Sequence, residues 1–328
     1  MKFDIVVGNP PYQEDDGGSC ASAKPVYNLF IDLAKKISSE QVSLITPSKW
    51  FAGGKGLNQF RKDMLNDDTI RYMVDYDNAK KVFPNTSIAG GINYFLMDSS
   101  YHGTTTFTSV HDGKKITAER KLNEFETFVR YNEAIDIIHK IGKTESVSKH
   151  VFARNPFGFS SKDRGGKEGE ITLISSDGVG KVPRIEVKNG LNILNKYKIC
   201  ISKVTAEHAN EPDKNGQFKI ISNNFKLSPN EIVTDSYLVI FADENENRVD
   251  NYWKYLKTKF FRALLMQSVT SINLSKDKFS FVPDQNYDTD SDIDWTKSIS
   301  EIDWQLYEKY ELNQNEINFI DEKIKAMN

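Results

Sequence analysis

The stretch that most constrains this chain is Phe3-Asp4-Ile5-Val6-Val7, an almost continuous apolar run stopped by Gly8-Asn9-Pro10-Pro11-Tyr12. A short apolar run bounded by glycine and proline predicts a strand buried on both faces, as in the middle of a parallel sheet. Two prolines in succession fix φ and remove two backbone donors, so a rigid turn must follow the strand. After a Gly-, Ser- and Asp-rich loop (Glu14 to Ser22), Pro25 stands where a helix can begin. Val26, Leu29, Phe30, Leu33, Ala34 and Ile37 follow at helical spacing, as an inward stripe.

The alternation continues. Val42 to Thr46 reads as a second strand stopped by Pro47, Leu57 to Leu65 as a helix with Phe60 and Met64 inward, and Ile70 to Tyr76 as a third strand. Strand, helix, strand, helix, strand implies an α/β fold, an open doubly wound sheet with right-handed crossovers whose ligands bind beyond the carboxyl ends of the strands. Ile92 to Met97 and Thr104 to Val110 add strands, and the sheet is expected to close with an antiparallel hairpin. Phe125 to Ile141 reads as a helix leading away from it. A domain boundary falls near Lys143 to His150, giving a first domain of residues 1–145 and a second of 146–328.

The second half has another texture: Gly- and Lys-rich loops, short strands at Ile199 to Ser202 and Tyr237 to Phe241, and a helix from Val249 to Leu265. Asp288, Asp290, Asp292 and Asp294 precede Trp295 in an acidic tail that reads as a solvated loop, and a helical end follows from Asn315 to Lys325. The net charge of −3 over 328 residues gives no global attraction to nucleic acid, so such binding needs a local basic face. Lys162, Arg164, Lys167, Lys181, Arg184 and Lys203 are candidates for phosphate contact, within a basic stretch that includes Lys188, Lys196 and Lys198. No run is long and apolar enough for a membrane span, and a cytoplasmic protein is expected. Cys20 and Cys200 read as free thiols, and the five histidines show no metal-ligand spacing.

Asn-Pro-Pro-Tyr at a strand end suits one difficult task, making a conjugated amine attack an electrophilic carbon. The lone pair of such an amine is delocalised into its ring. Two acceptors aimed at its N–H bonds pull the nitrogen toward tetrahedral geometry as attack proceeds, a stabilisation that grows toward the transition state. The Asn9 side-chain oxygen and the Pro10 carbonyl can be those acceptors. Pro11 helps to hold them rigidly, and Tyr12 offers a flat face for stacking a base.

Phe-Asp-Ile-Val-Val-Gly-Asn-Pro-Pro-Tyr-Gln resembles the catalytic motif of the adenine-N6 DNA methyltransferases of bacterial restriction-modification systems. Val26 to Asp32, Leu44 to Trp50, and Lys81-Val82-Phe83-Pro84 with Gly90-Gly91-Ile92 resemble the succeeding motifs. Tyr197 to Lys203, Ser236 to Ile240 and Lys257 to Arg262 look like a target-recognition domain. The resemblance implies a Rossmann-like methyltransferase sheet followed by an α+β recognition domain. It implies S-adenosylmethionine as cofactor with Phe30 on its adenine, and duplex DNA as partner with the flipped base against Tyr12 and Phe83. The family holds its cofactor by a Gly-rich turn that precedes Asn-Pro-Pro-Tyr. Asp177-Gly178-Val179-Gly180 after Ile171 to Ile174 is the best downstream candidate, but Pro183 stands where its helix should begin. The chain is therefore expected to be a C-terminal portion of a longer or split enzyme, with an upstream methyltransferase half or a nuclease or helicase subunit as partner. A DNA-binding specificity module without catalysis, and a protein-glutamine methyltransferase, are the alternatives.

Overall fold

The computed structural model describes residues 2–14, 23–52, 56–86, 88, 90–111, 113–206, 212–269 and 272–327. Cys20 and His208 lie outside them. The chain divides into two compact units, the first running through Ile135 and the second beginning at Asp136.

Unit one is a mixed α/β layer. Its elements are β1 (Phe3–Gly8), α1 (Tyr27–Ile37), β2 (Ser38–Pro47), α2 (Asn58–Leu65), β3 (Ile70–Tyr76), β4 (Ile92–Asp98), β5 (Thr105–His111) and β6 (Lys114–Arg120). They form one sheet of order β1-β2-β4-β3-β5-β6. β1 lies parallel to β2 and β3 parallel to β5, whereas β4 runs antiparallel between β2 and β3. The doubly wound expectation therefore holds for the β1-α1-β2 crossover and fails at the centre, where the third strand is separated from the second by β4. The expectation that the sheet ends at Val110 in an antiparallel hairpin fails: β3 lies between β4 and β5, and β5 instead pairs antiparallel with β6, a strand the sequence pattern did not mark.

Two corrections concern the start of the chain. β1 is an edge strand, paired with β2 alone, and Phe3, Ile5 and Val7 are 49%, 55% and 72% exposed. Its apolar run reads as a strand buried on both faces because composition reports what a strand can bury and not which neighbours it has; the edge position with an uncovered apolar face is the one expected of this strand in a C-terminal portion. In α1 the face turned to the core is Tyr27, Ile31 and Ala34, while Leu29, Phe30 and Leu33 are exposed. The expected stripe holds at Ala34 and fails at Leu29, Phe30 and Leu33, because both faces of α1 are apolar. In α2, Phe60, Met64 and Leu65 are buried as the spacing predicted.

One face of the sheet carries the core of unit one. In register across the strands, Leu44, Phe95, Met73 and Phe107 form an apolar row, with Tyr27, Ile31, Trp50, Phe60 and Phe128 packed into the same cluster. Removal of apolar surface from water, which contributes about 25 cal/mol per Å² buried, is the main force holding such a layer. The helix expected over Phe125 to Ile141 is shorter: α3 is Asn132–Ile141, and residues 121–131 are irregular. Arg120 explains part of this. Its guanidinium, buried between the rings of Phe107 and Phe128, donates to the Val129 carbonyl at 2.7 Å and the Asn132 side chain at 3.2 Å, fixing the segment outside a helix.

Unit two contains two three-stranded sheets. β7 (Ile171–Ser175), β8 (Gly178–Val182), α4 (Leu191–Leu194), β9 (Tyr197–Ser202), β10 (Asn224–Leu227), β11 (Glu231–Val233) and β12 (Tyr237–Asp243) give the orders β11-β7-β8 and β10-β9-β12. Four helices follow: α5 (Glu246–Lys257), α6 (Lys259–Ser268), α7 (Ile299–Lys309) and α8 (Gln314–Lys323). The single helix expected from Val249 to Leu265 is broken at Thr258, whose buried hydroxyl accepts from the Phe261 amide at 3.1 Å and caps α6. Asp303 reinforces that break by accepting from the Lys259 and Phe260 amides. The acidic tail is the solvated loop expected, with Asp288, Asp290, Asp292 and Asp294 all exposed; within it Asp294 accepts from the Thr296 amide at 2.9 Å, and Asp292 pairs with Lys309 at 2.8 Å.

Candidate active site

The carboxyl ends of β1, β2, β3 and β5 and the start of β4 lie along one edge of the unit-one sheet, as the pairing register requires. The turn Asn9 to Tyr12 leaves β1 at this edge, and Phe83 lies in the connection that leaves β3 there. Asn9 and Pro11 are exposed, and Pro10 and Tyr12 are half-buried. The Tyr12 ring packs against the core, and its carbonyl accepts from the Val26 amide at 3.2 Å, while the Glu14 amide donates to Lys24 at 2.9 Å. The turn is thus tied back to the start of α1 while its Asn9 end projects. Burial raises the Tyr12 phenol above its usual range, softened by the neighbouring Asn9 side chain; the hydroxyl lies beside Asn9 without reaching full hydrogen-bond geometry. Asn9 itself is exposed.

Phe83 follows a short 3-10 turn, Ala79–Lys81, capped by Asn78, whose side chain accepts from the Lys80 amide at 3.0 Å. The Phe83 amide donates to Ala79 at 2.8 Å and its carbonyl accepts from Thr86 at 3.1 Å, so the half-buried ring stands on a hydrogen-bonded turn. Phe30 is 40% exposed on α1 and lies outside the core.

Just beneath the edge lies a set of residues that sequence reading missed. Thr46, Asn93, Asp75 and Ser109 are in register across β2, β4, β3 and β5, one step above the apolar row, and all four are buried. The Asn93 amide donates to the Thr46 carbonyl at 3.3 Å and to the Ser48 hydroxyl at 3.2 Å. Ser48 donates to Asp75 at 2.5 Å, and Arg130 grips Asp75 with two nitrogens, at 2.5 and 3.0 Å. Burial pushes the Asp75 carboxyl up, against the pull of Arg130 and Ser48. Burial also opposes the Arg130 charge, but Asp75 outweighs it and the guanidinium stays protonated. The available signal was an aspartate inside the otherwise apolar strand Ile70–Tyr76, since a buried carboxylate demands a partner. Arg130 could not have been chosen as that partner, because its segment reads as helix.

In unit two the basic candidates do not form one surface of free charges. Arg164 is paired with Asp177. Lys203 is paired with Asp235 at 2.7 Å, which also takes Arg154 at 3.2 Å. Lys181 donates to the Thr172 hydroxyl at 2.8 Å, and Lys162, Lys167 and Arg184 are exposed. Lys198, from the same basic stretch, is fully buried, where its ammonium donates to the carbonyls of Ile193, Leu194, Lys196 and Ser228; burial lowers it to about 8. It is a structural group. Asp177-Gly178-Val179-Gly180 lies in the β7-β8 antiparallel hairpin, with Gly180 against the Arg164 carbonyl, so it is not a strand-to-helix cofactor turn. Cys200 is a buried free thiol. Among the described residues no group of three or more His, Cys, Asp or Glu could hold a metal, and no helix is long and apolar enough to cross a membrane.

Comparison with known proteins bears on the same segment. Residues 1–83 match the Eco57I restriction-modification methylase family. An uncharacterized adenine-specific methylase of Mycoplasma pneumoniae is 32% identical over 133 residues, 39% of this chain and 31% of that protein. The chain thus spans about a third of that relative's length. Among solved structures, the type IIG restriction endonuclease BpuSI aligns with 98% of this chain and 54% of its own, at a TM-score of 0.40 and 12% identity. The type IIL restriction-modification enzyme MmeI, solved in complex with DNA, aligns with 84% of this chain and 45% of its own, at 0.39 and 7%. The chain resembles the adenine-specific methyltransferases of restriction-modification systems, and the family match, over residues 1–83, includes the Asn9 to Tyr12 turn.

Proposed function

We propose that this chain takes part in S-adenosylmethionine-dependent methylation of adenine N6 in duplex DNA, with residues 1–145 serving catalysis and 146–328 target recognition. The observation that carries the reading is the Asn9 to Tyr12 turn, open at Asn9 and anchored at Tyr12, at the carboxyl edge of the sheet. The adenine leaves the base stack and lies on the Tyr12 ring with Phe83 facing it. The Asn9 side-chain oxygen and the Pro10 carbonyl accept from its amino group, and the developing tetrahedral nitrogen strengthens both bonds. No side chain needs to act as a general base at the outset, because the proton is lost from a nitrogen that becomes strongly acidic on methylation.

Bound S-adenosylmethionine supplies the electrophilic methyl group. Of the residues described, Phe30 fits it, presenting an exposed ring on an apolar face shared with Leu29 and Leu33. The Gly-rich part of the cofactor site comes from outside residues 2–327, as a methyltransferase half that also pairs with the open edge of β1. Lys162, Lys167 and Arg184 contact phosphates from unit two. The test is transfer of labelled methyl groups by the natively encoded enzyme to duplex DNA and, in parallel, to protein. Label at adenine N6 supports the reading, label on a glutamine amide supports the alternative acceptor, and DNA binding without transfer supports a specificity module.

A further inference from the structure

The buried polar row is costly where it stands. Its apolar neighbour row shows that Leu, Phe and Met fit the same sheet face, and a buried ion pair is often no more stabilising than a hydrophobic replacement. Its geometry indicates another use. Arg130 donates to the Tyr76 carbonyl at 3.0 Å, where β3 ends, while it grips Asp75. Gly91, at φ 83°, lies so close to Arg130 and the Tyr76 carbonyl that a Cβ would collide with both. The Ser48 amide donates to the Gly91 carbonyl at 3.0 Å while its hydroxyl donates to Asp75. One guanidinium–carboxylate pair therefore joins the exit of β3, the entry of β4 and the turn that follows β2. Phe83 is carried between the first two of these points.

We propose that Arg130, through Asp75 and Ser48, is a positioning residue that fixes the Phe83 turn at the height of the target base. The assignment rests on the reading of Phe83 as the residue facing that base. The network touches no substrate and acts by holding both roots of one connection. Gly91 belongs to the same device, since only a residue without a Cβ lets Arg130 reach the Tyr76 carbonyl.

Hydrogen exchange on the whole chain tests the clamp without any activity assay. In Ser48→Ala and in Arg130→Lys, which loses the two-pronged grip, the Phe83 and Thr86 amides should exchange about tenfold faster, the scale of one lost net hydrogen bond. The Leu44 and Phe95 amides in the ladder beneath should be unchanged, which also controls for folding. Unchanged Phe83 and Thr86 exchange in a folded variant overturns the proposal. A double-mutant cycle on kcat in the native enzyme then tests the purpose. Ser48→Ala should lower kcat in the wild-type background and have no further effect in Phe83→Ala, whereas additive losses overturn it. If Phe83→Ala alone leaves transfer intact, the base-facing reading fails while the exchange result still decides the clamp.

Discussion

Two layers of the same sheet edge differ in character. The Asn9 to Tyr12 turn is exposed at Asn9 and Pro11 and held by a few backbone bonds, whereas the row of Thr46, Asn93, Asp75 and Ser109 one step below is buried, with Asp75 gripped by Arg130. On the proposed reading Asn9 is the group that meets the substrate, and it is exposed. In the lower layer Asp75 is satisfied by Arg130 and Ser48 at the expense of burying charge, while the Thr46 hydroxyl and the Asn93 side-chain oxygen are buried without a partner. The contrast predicts that damage to the lower layer costs stability as well as chemistry, and damage to the upper layer chemistry alone.

The largest expected effect follows from removing the carboxylate in the lower layer. Asp75→Ala should cost about 3–5 kcal/mol in the urea unfolding of unit one, because Arg130 is left charged and unpaired. Asn9→Ala should stay within about 0.5 kcal/mol of wild type in the same experiment. Equal losses for the two would erase the distinction.

α1 repeats the contrast within one helix. Ile31 is fully buried and Phe30 is not. Ile31→Ala should cost about 2–5 kcal/mol, while Phe30→Ala should cost little stability and instead weaken S-adenosylmethionine binding, read by calorimetry in the native enzyme.

A charge network elsewhere supplies a titratable counterpart. Burial alone would raise the Asp284 carboxyl, but His150 at 3.0 Å and Lys149 at 2.8 Å outweigh it and hold it at about 2. The folded value lies below the unfolded one of about 3.9, so the ionised group contributes stability that is complete above about pH 4 and is lost as pH falls toward 2. Asp284→Asn should therefore narrow its stability gap from wild type across that window. A gap that stays constant with pH would contradict the assignment. The smallest effect is expected at the sheet edge, where Val7→Ser should change unfolding by no more than about 0.5 kcal/mol.

Much of unit one was legible in the sequence, for reasons that particular residues show. Glycine and proline punctuation marked the ends of β1 and β2, and the spacing of Phe60 and Met64 placed the inward face of α2 correctly. What failed were properties set by neighbours. β1 and β4 both read as apolar strands, yet β4 is paired on both sides and β1 on one. The proposed acceptors, Asn9 and Pro10, could be named from the sequence because their chemistry lies in consecutive residues. The Asp75–Arg130 pair, 55 residues apart, was not, because nothing local links an aspartate in a strand to an arginine in an irregular segment.

The central claim is that the exposed Asn9 holds the amino group of adenine while it is methylated. It is tested most directly by measuring N6-methyladenine formed in duplex DNA by the native enzyme and by its Asn9→Ala variant at equal, verified folding. Loss of one such preorganised group should reduce kcat by about 10²–10³-fold with DNA binding retained. Methylation at the wild-type rate in Asn9→Ala would contradict it.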